Sequence, residues 1–272
     1  MSRGLPTESC GRMLLRVRVG RRDISGLLID LDGVLHVGRR PIAGAVDKIA
    51  ALRALGMPHC YVTNTTTRPV SELSRELSRM GFAIDADSIL SAPMAAKGYL
   101  ESLHNPRCKL LLRREVLAEF GDCRQSDSGV DVVVVGDIGA AWSYELLNRV
   151  FRLLMDGAEL IALHRNRFWQ TEDGLQLDIG AIVAGFEYAT GKQATMVGKP
   201  SEAFFREALR RLGLPPGQVA MIGDDIDSDI GGAQALGMAG ILVKTGKYRR
   251  DYAERSAVKP DLQLRSFADL PL

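Results

Sequence analysis

Cysteine is scarce and scattered in this 272-residue chain: Cys10, Cys60, Cys108 and Cys123 lie far apart, and no two form a C-x-x-C pair. That spacing disfavours a zinc site and supplies no disulfide framework, so reduced thiols and a cytoplasmic setting are expected. Long apolar runs are missing too. None near the start is long enough for a signal peptide and none elsewhere reaches the ~20 residues of a membrane span, so no membrane partner is expected. No G-x-x-x-x-G-K-[ST] loop occurs, which leaves nucleotide-driven kinase chemistry without support. There is no internal repeat and no low-complexity segment. A strong charge of one sign is also lacking. Lys and Arg number 35 against 33 Asp and Glu, a formal net charge of +2, and no nucleic-acid partner is expected. The small excess gathers at the amino end, where Arg3, Arg12, Arg16, Arg18, Arg21 and Arg22 face only Glu8 and Asp23. Residues 1–22 read as a basic, solvated extension.

What is present is an ordinary globular composition, 46% hydrophobic, at a length that suits one large or two modest domains. From Leu27 the chain alternates strand and helix. Leu27 to Ile29 form an apolar run; Ala45, Ile49, Leu52 and Leu55 follow at helical spacing; Pro58 to Val62 read as the next strand and Val70, Leu73, Leu77 and Met80 as the next helix. Such alternation implies crossover units on a parallel sheet, an α/β fold with a doubly wound, Rossmann-like core. The middle is less regular, with strands expected at Lys109–Leu112, Val130–Val135 and Glu159–Leu163 and a helix at Tyr144–Met155. After Lys192 the earlier rhythm resumes, with a helix from Ser201 to Leu212 closed by Gly213. Residues 23–105 and 193–272 are therefore expected to form one domain, enclosing a second α/β unit at 106–192.

The chemistry-bearing residues fall at the expected strand ends. Asp30 and Asp32 follow the first apolar run, and residues i and i+2 of a strand face the same side, so both acids can aim at one ligand. Thr63-Asn64 end the second strand, Lys199 precedes Pro200 and a helix, and Val219–Ile222 runs into Gly223-Asp224-Asp225-Ile226-Asp227-Ser228-Asp229. In open parallel sheets, ligands bind in the crevice beyond those ends.

In order and spacing these four features resemble the four motifs of the haloacid dehalogenase superfamily of phosphotransferases. The segment 106–192 resembles the large α/β cap that one class of that superfamily carries between its second and third motifs. The resemblance runs from about Ile24 to the end and implies a phosphatase acting through an aspartyl-phosphate. Asp30 is then the nucleophile, and Asp32 the acid that protonates the leaving oxygen and later takes a proton from water. Thr63, Asn64 and Lys199 would hold the phosphoryl oxygens. Mg²⁺ is the implied cofactor, with Asp30, the Asp32 backbone carbonyl and Asp224 as ligands and Asp229, or less directly Asp225, completing the site. Asp32 separates this chemistry from dehalogenation, which needs no acid there. In the cap, His164, Arg165 and Asn166 follow a strand and are candidates for substrate contact. A large cap favours small phosphorylated compounds over folded phosphoproteins, and the resemblance adds phosphoamino acids, pyrophosphate and a homodimer formed through the cap. A phospho-ligand sensor or scaffold on the same fold is the competing reading.

Overall fold

The computed structural model describes residues 17–171 and 174–272. Its larger sheet has six parallel strands in the order Leu262–Leu264, Ala239–Val243, Val219–Gly223, Gly26–Asp30, His59–Thr63 and Ile89–Ser91. From Gly26–Asp30 the chain winds outward through two strands on one side, and after the inserted segment returns to wind outward on the other. Asp30 thus ends the strand at the topological switch point, where such sheets open a crevice. Every residue of that strand is buried. Leu27 and Ile29 pack on one face with Ile49, Leu73 and Ile222, while Leu28 packs on the other with Phe204, Phe205 and Met221. A strand covered on both faces needs apolar residues at successive positions, which is why the sequence shows a continuous run.

Local signals set the helix limits. In Glu202–Leu212, Ser201 Oγ accepts the Phe204 N–H at 3.3 Å and the helix closes at Gly213 with φ 65°, a left-handed stop that glycine adopts without a Cβ clash. Helix Ala92–Ser102 has two packing partners. Ala95 joins the cluster under the large sheet, while Ala92, Ala96 and Leu100 pack against Leu110, Val132 and Ile161 of a second sheet. The two sheets share this helix.

The second sheet has four parallel strands in the order Thr195–Met196, Glu159–Ala162, Val132–Val135 and Cys108–Leu111. Its other face is covered by Tyr144–Met155 and Ile179–Thr190 through Val150, Leu154, Val183 and Phe186. An antiparallel pair, Phe168–Thr171 with Gly174–Leu177, extends from it.

Two local expectations differ from the structure. Residues 17–22 do not belong to a solvated arm: Val17–Val19 pairs antiparallel with Arg22–Ile24, burying Val17 and Val19. Residues 1–16, with Arg3, Arg12 and Arg16, lie outside the described residues. The inserted unit also runs past residue 192, because Thr195–Met196 pairs in register with Ile161–Ala162. A two-residue strand is too short to show periodicity in sequence. Among the described residues, no helix is long and apolar enough to cross a membrane.

Candidate active site

The carboxyl ends of three adjacent core strands present Asp30, Thr63 and Gly223 side by side. Lys199 sits across from them, its ammonium 2.7 Å from Asp30 Oδ1 and 2.7 Å from Asp229 Oδ1. All three side chains are buried. Asp229 gets there because the chain after Asp225 coils into a π-helical turn, Ile226–Gly231, that carries its carboxylate inward. Asp225 plays another part: its Oδ1 accepts the N–H groups of Asp227 and Ser228 at 3.0 Å each and so caps the turn.

Asp224 closes the cluster. Its Oδ2 accepts the Lys247 N–H at 2.6 Å, while its Oδ1 is buried with no hydrogen-bond partner. Carboxylate oxygens of Asp30, Asp224 and Asp229 lie within 4.8 Å of one another. Hard divalent cations take all-oxygen coordination, and an unpartnered buried carboxylate oxygen is costly unless something binds it. The donor set fits such a cation. Close backbone approach builds the pocket, and it requires glycine at two places. A Cβ on Gly33 (φ +82°) would stand 1.8 Å from Asp224 Oδ2, and one on Gly246 (φ +59°) 2.0 Å from it and 2.4 Å from Gly33 Cα.

Electrostatics follow from this crowding. Burial pushes Asp30 up to about 6 against the pull of Lys199, and Asp224 adds to the rise. Burial likewise lifts Asp224 and Asp229 to about 6 each. It works against the Lys199 ammonium too, yet Asp229 and Asp30 hold that group above the ordinary lysine value.

Asp32 stands apart. Its side chain is 48% exposed, with His36 Nδ1 3.8 Å away, and it lines the cavity without joining the acidic cluster. Asn64 is brought in, but largely to hold Lys199: its Oδ1 accepts the Lys199 N–H at 2.8 Å and its Nδ2 donates to the Lys199 carbonyl at 2.9 Å. Thr63 Oγ1 accepts from Thr65 N at 3.1 Å and lies 3.0 Å from Thr65 Oγ1.

The cavity over these groups has a volume of about 550 Å³, and the inserted unit roofs it with Arg113, Asp137, His164, Asn166 and Asp178. His164 is buried, its Nε2 3.8 Å from Asp178 Oδ1. Burial lowers its pKa while Asp178 and Asp137 pull it back up. Asn166 also faces the cavity, but Arg165 does not. Its guanidinium pairs with the buried carboxylate of Glu187, and it lines a separate surface hollow with Arg167 and Leu177. Sequence reasoning missed Arg68, Arg113, Asp137 and Lys247. The strand-end rule, applied to the second sheet, reaches Arg113 and Asp137, which follow Cys108–Leu111 and Val132–Val135 just as His164 follows Glu159–Ala162.

Comparison with known proteins agrees with this geometry. The haloacid dehalogenase-like hydrolase family matches residues 27–123, and a related HAD-hydrolase-like family matches residues 196–270. The chain is 42% identical to human (Homo sapiens) haloacid dehalogenase-like hydrolase domain-containing protein 2 over 246 residues, covering 90% of this chain and 94% of that one. This chain belongs to the haloacid dehalogenase-like hydrolase family. It is 36% identical to the phospholysine phosphohistidine inorganic pyrophosphate phosphatase of Xenopus laevis, over 93% of this chain and 92% of that protein. The p-nitrophenyl phosphatase of Archaeoglobus fulgidus shares the fold with a TM-score of 0.83 at 30% identity, covering 90% of this chain and 97% of that structure. The doubly wound core with its inserted α/β unit is thus the fold of this hydrolase family, and the chain is an enzyme of it.

Proposed function

We propose that this hydrolase is a Mg²⁺-dependent phosphatase of small phosphorylated compounds: phosphomonoesters, with phosphoamino acids and pyrophosphate as further substrates. The observation that carries the reading is the buried Lys199 ammonium 2.7 Å from both Asp30 and Asp229, beside the unpartnered Asp224 oxygen. In-line attack of a carboxylate on a phosphoryl group brings like charges together, so fixed positive charge must be in place beforehand. Mg²⁺, held by the carboxylates of Asp30, Asp224 and Asp229 and the Asp32 carbonyl, supplies that charge when bound.

Asp30 attacks phosphorus while the bond to the leaving oxygen breaks, giving an aspartyl-phosphate. Lys199 holds the nucleophile in place and offsets charge on the phosphoryl oxygens, and Asn64 keeps the Lys199 backbone fixed. Asp32, half exposed and outside the acidic cluster, is free to carry a proton. It protonates the leaving oxygen, then takes a proton from the water that hydrolyses the aspartyl-phosphate. The roof restricts entry to small substrates. A phospho-ligand sensor on this fold would need no such proton carrier, and the position of Asp32 disfavours it. The free cysteines Cys60, Cys108 and Cys123 fit a cytoplasmic setting. The exposed side chains Tyr144 and Tyr188 suit a homodimer through the inserted unit.

The test is phosphate release from phenyl phosphate, phosphoamino acids and pyrophosphate, with Mg²⁺ or EDTA. Asp30→Asn is expected to lower kcat by about 10⁴-fold or more, the scale seen when a nucleophile is removed. Equal release by wild type and variant would refute the assignment.

A further inference from the structure

Four cations line the reaction cavity: Arg68, Arg113, Lys199 and Lys247. Three are matched by carboxylates. Lys199 lies between Asp30 and Asp229, Arg113 is 2.8 Å from Asp137, and Arg68 pairs with Glu76. Lys247 has no carboxylate partner among the described residues.

The backbone under Lys247 is unusually well fixed for an exposed lysine. Its N–H donates to Asp224 Oδ2 at 2.6 Å, Thr245 Oγ1 donates to the Gly33 carbonyl, and Gly246 packs onto Gly33 so closely that a Cβ would meet Gly33 Cα at 2.4 Å. The loop is clamped between the two acidic turns that build the site, and the lysine arm leaves it at the cavity wall. The roof opposite is held by helix Ala92–Ser102, common to both sheets, so the gap a substrate must span is set by packing.

The acids of the roof are already engaged. Asp137 faces Arg113, and its Oδ1 accepts the Gly139 N–H at 2.7 Å. Asp178 Oδ1 accepts the Ile179 N–H at 2.7 Å and caps that helix. Burial works against a charge on His164. Apart from Asp32, which serves the leaving oxygen in the proposed reaction, the unpaired charge lining the cavity is the Lys247 ammonium.

The geometry points to Lys247 as a specificity-determining residue that binds a second anionic group, a carboxylate or a further phosphate, on the leaving group of the substrate. This rests on the phosphatase reading and narrows it: the preferred substrates carry negative charge at both ends. The phosphoryl end goes to Lys199 and the acidic cluster, the other end to Lys247. An uncharged leaving group leaves the ammonium to water and gains nothing from it.

The experiment compares phenyl phosphate with 4-carboxyphenyl phosphate, a pair that differs by one carboxylate, on wild type, Lys247→Ala and Lys247→Arg. The readout is the ratio of kcat/KM for the two substrates, in which any general effect of the substitution cancels. Wild type is expected to favour the carboxylated ester. Lys247→Ala is expected to lower that ratio about tenfold, worth about 1.4 kcal/mol, through KM, and Lys247→Arg to keep most of it. A wild-type ratio of one or below, or a ratio that Lys247→Ala leaves within twofold, overturns the proposal. Calorimetric affinities for phenylphosphonate and 4-carboxyphenylphosphonate give the same ratio without turnover. If wild type hydrolyses neither ester, the phosphatase reading fails while the binding ratio still decides the role of Lys247.

Discussion

Replacing Lys199 with methionine keeps most of the length of the side chain and removes its charge from the most crowded point of the site. Each of its two contacts, at 2.7 Å to Asp30 and Asp229, is worth about 6 kcal/mol of attraction at an effective dielectric of ~20. Desolvation of the buried ions takes most of that back. What remains on deleting one partner is the cost of uncompensated buried charge, about 3–5 kcal/mol, a large share of the ~5–15 kcal/mol that holds a protein folded. In the proposed reaction the same ammonium faces the phosphoryl oxygens, and losing one preorganised group of this kind lowers kcat by about 10²–10³-fold. Urea unfolding of Lys199→Met without divalent ions, followed by circular dichroism, measures the first effect. Phosphate release at saturating substrate, at a temperature where the variant is folded, measures the second. Mg²⁺ should raise the Tm of the variant more than that of wild type, because the carboxylates it leaves behind have lost their other counter-charge. A variant within about 1 kcal/mol of wild-type stability and within a few-fold of its kcat would refute the reasoning.

Gly246→Ala places a methyl 2.0 Å from Asp224 Oδ2 and 2.4 Å from Gly33 Cα at φ +59°, so the loop must move. A stability loss of about 1–3 kcal/mol is expected, together with an Mg²⁺ activation curve shifted to higher concentration; an unshifted Mg²⁺ titration would count against the metal assignment. Glu119, whose Oε1 accepts the Val70 N–H at 2.6 Å from across the two units, is held above its ordinary value of 4.5 by burial. A carboxyl raised on folding contributes stability that is full below its unfolded value and lost as pH rises through the folded one. Glu119→Gln should therefore flatten the fall in urea midpoint above pH 4.5, and parallel curves for the two proteins would show that Glu119 is not the group responsible.

Asp30 and Asp224 were legible because polar residues just beyond buried apolar runs of a parallel sheet converge on the crevice, whereas Lys199, which follows a strand of the second sheet, and Asp229, which lies on the turn after its strand, were picked out through the family resemblance. The same rule was not carried into the inserted unit, and Arg113 and Asp137 were missed there although they stand in equivalent positions. Arg165 failed for a local reason. Successive residues of an extended segment point opposite ways, so His164 and Asn166 enter the cavity while the residue between them meets Glu187. The strand Val17–Val19 was hidden by its surroundings: an exposed Arg18 between two buried valines, next to exposed Arg21 and Arg22, reads as a charged tail when only charge is counted. Asn64 and Thr63 were located by sequence; the Thr63 bonds to Thr65 are a local turn of residues two apart, but those of Asn64 to Lys199 join segments 135 residues apart, and no local pattern encodes them.

The charge balance of the cluster suits a divalent cation. Asp30, Asp224 and Asp229 bring three carboxylates to one point and Lys199 brings one ammonium, leaving two formal negative charges in excess. A buried excess of that sign opposes a phosphoryl dianion, and it does not serve folding either, since all three acids stand at about 6, well above 3.8, their ordinary value. Residues selected only for stability would not be arranged this way. In the proposed reaction a divalent cation would cancel the excess and turn the same cluster from one that repels phosphate into one that accepts it, which would link metal and substrate binding through three side chains. The Asp32 side chain, two residues from Asp30 but outside the cluster, is left free of that linkage and so available for proton transfer in the proposed reaction.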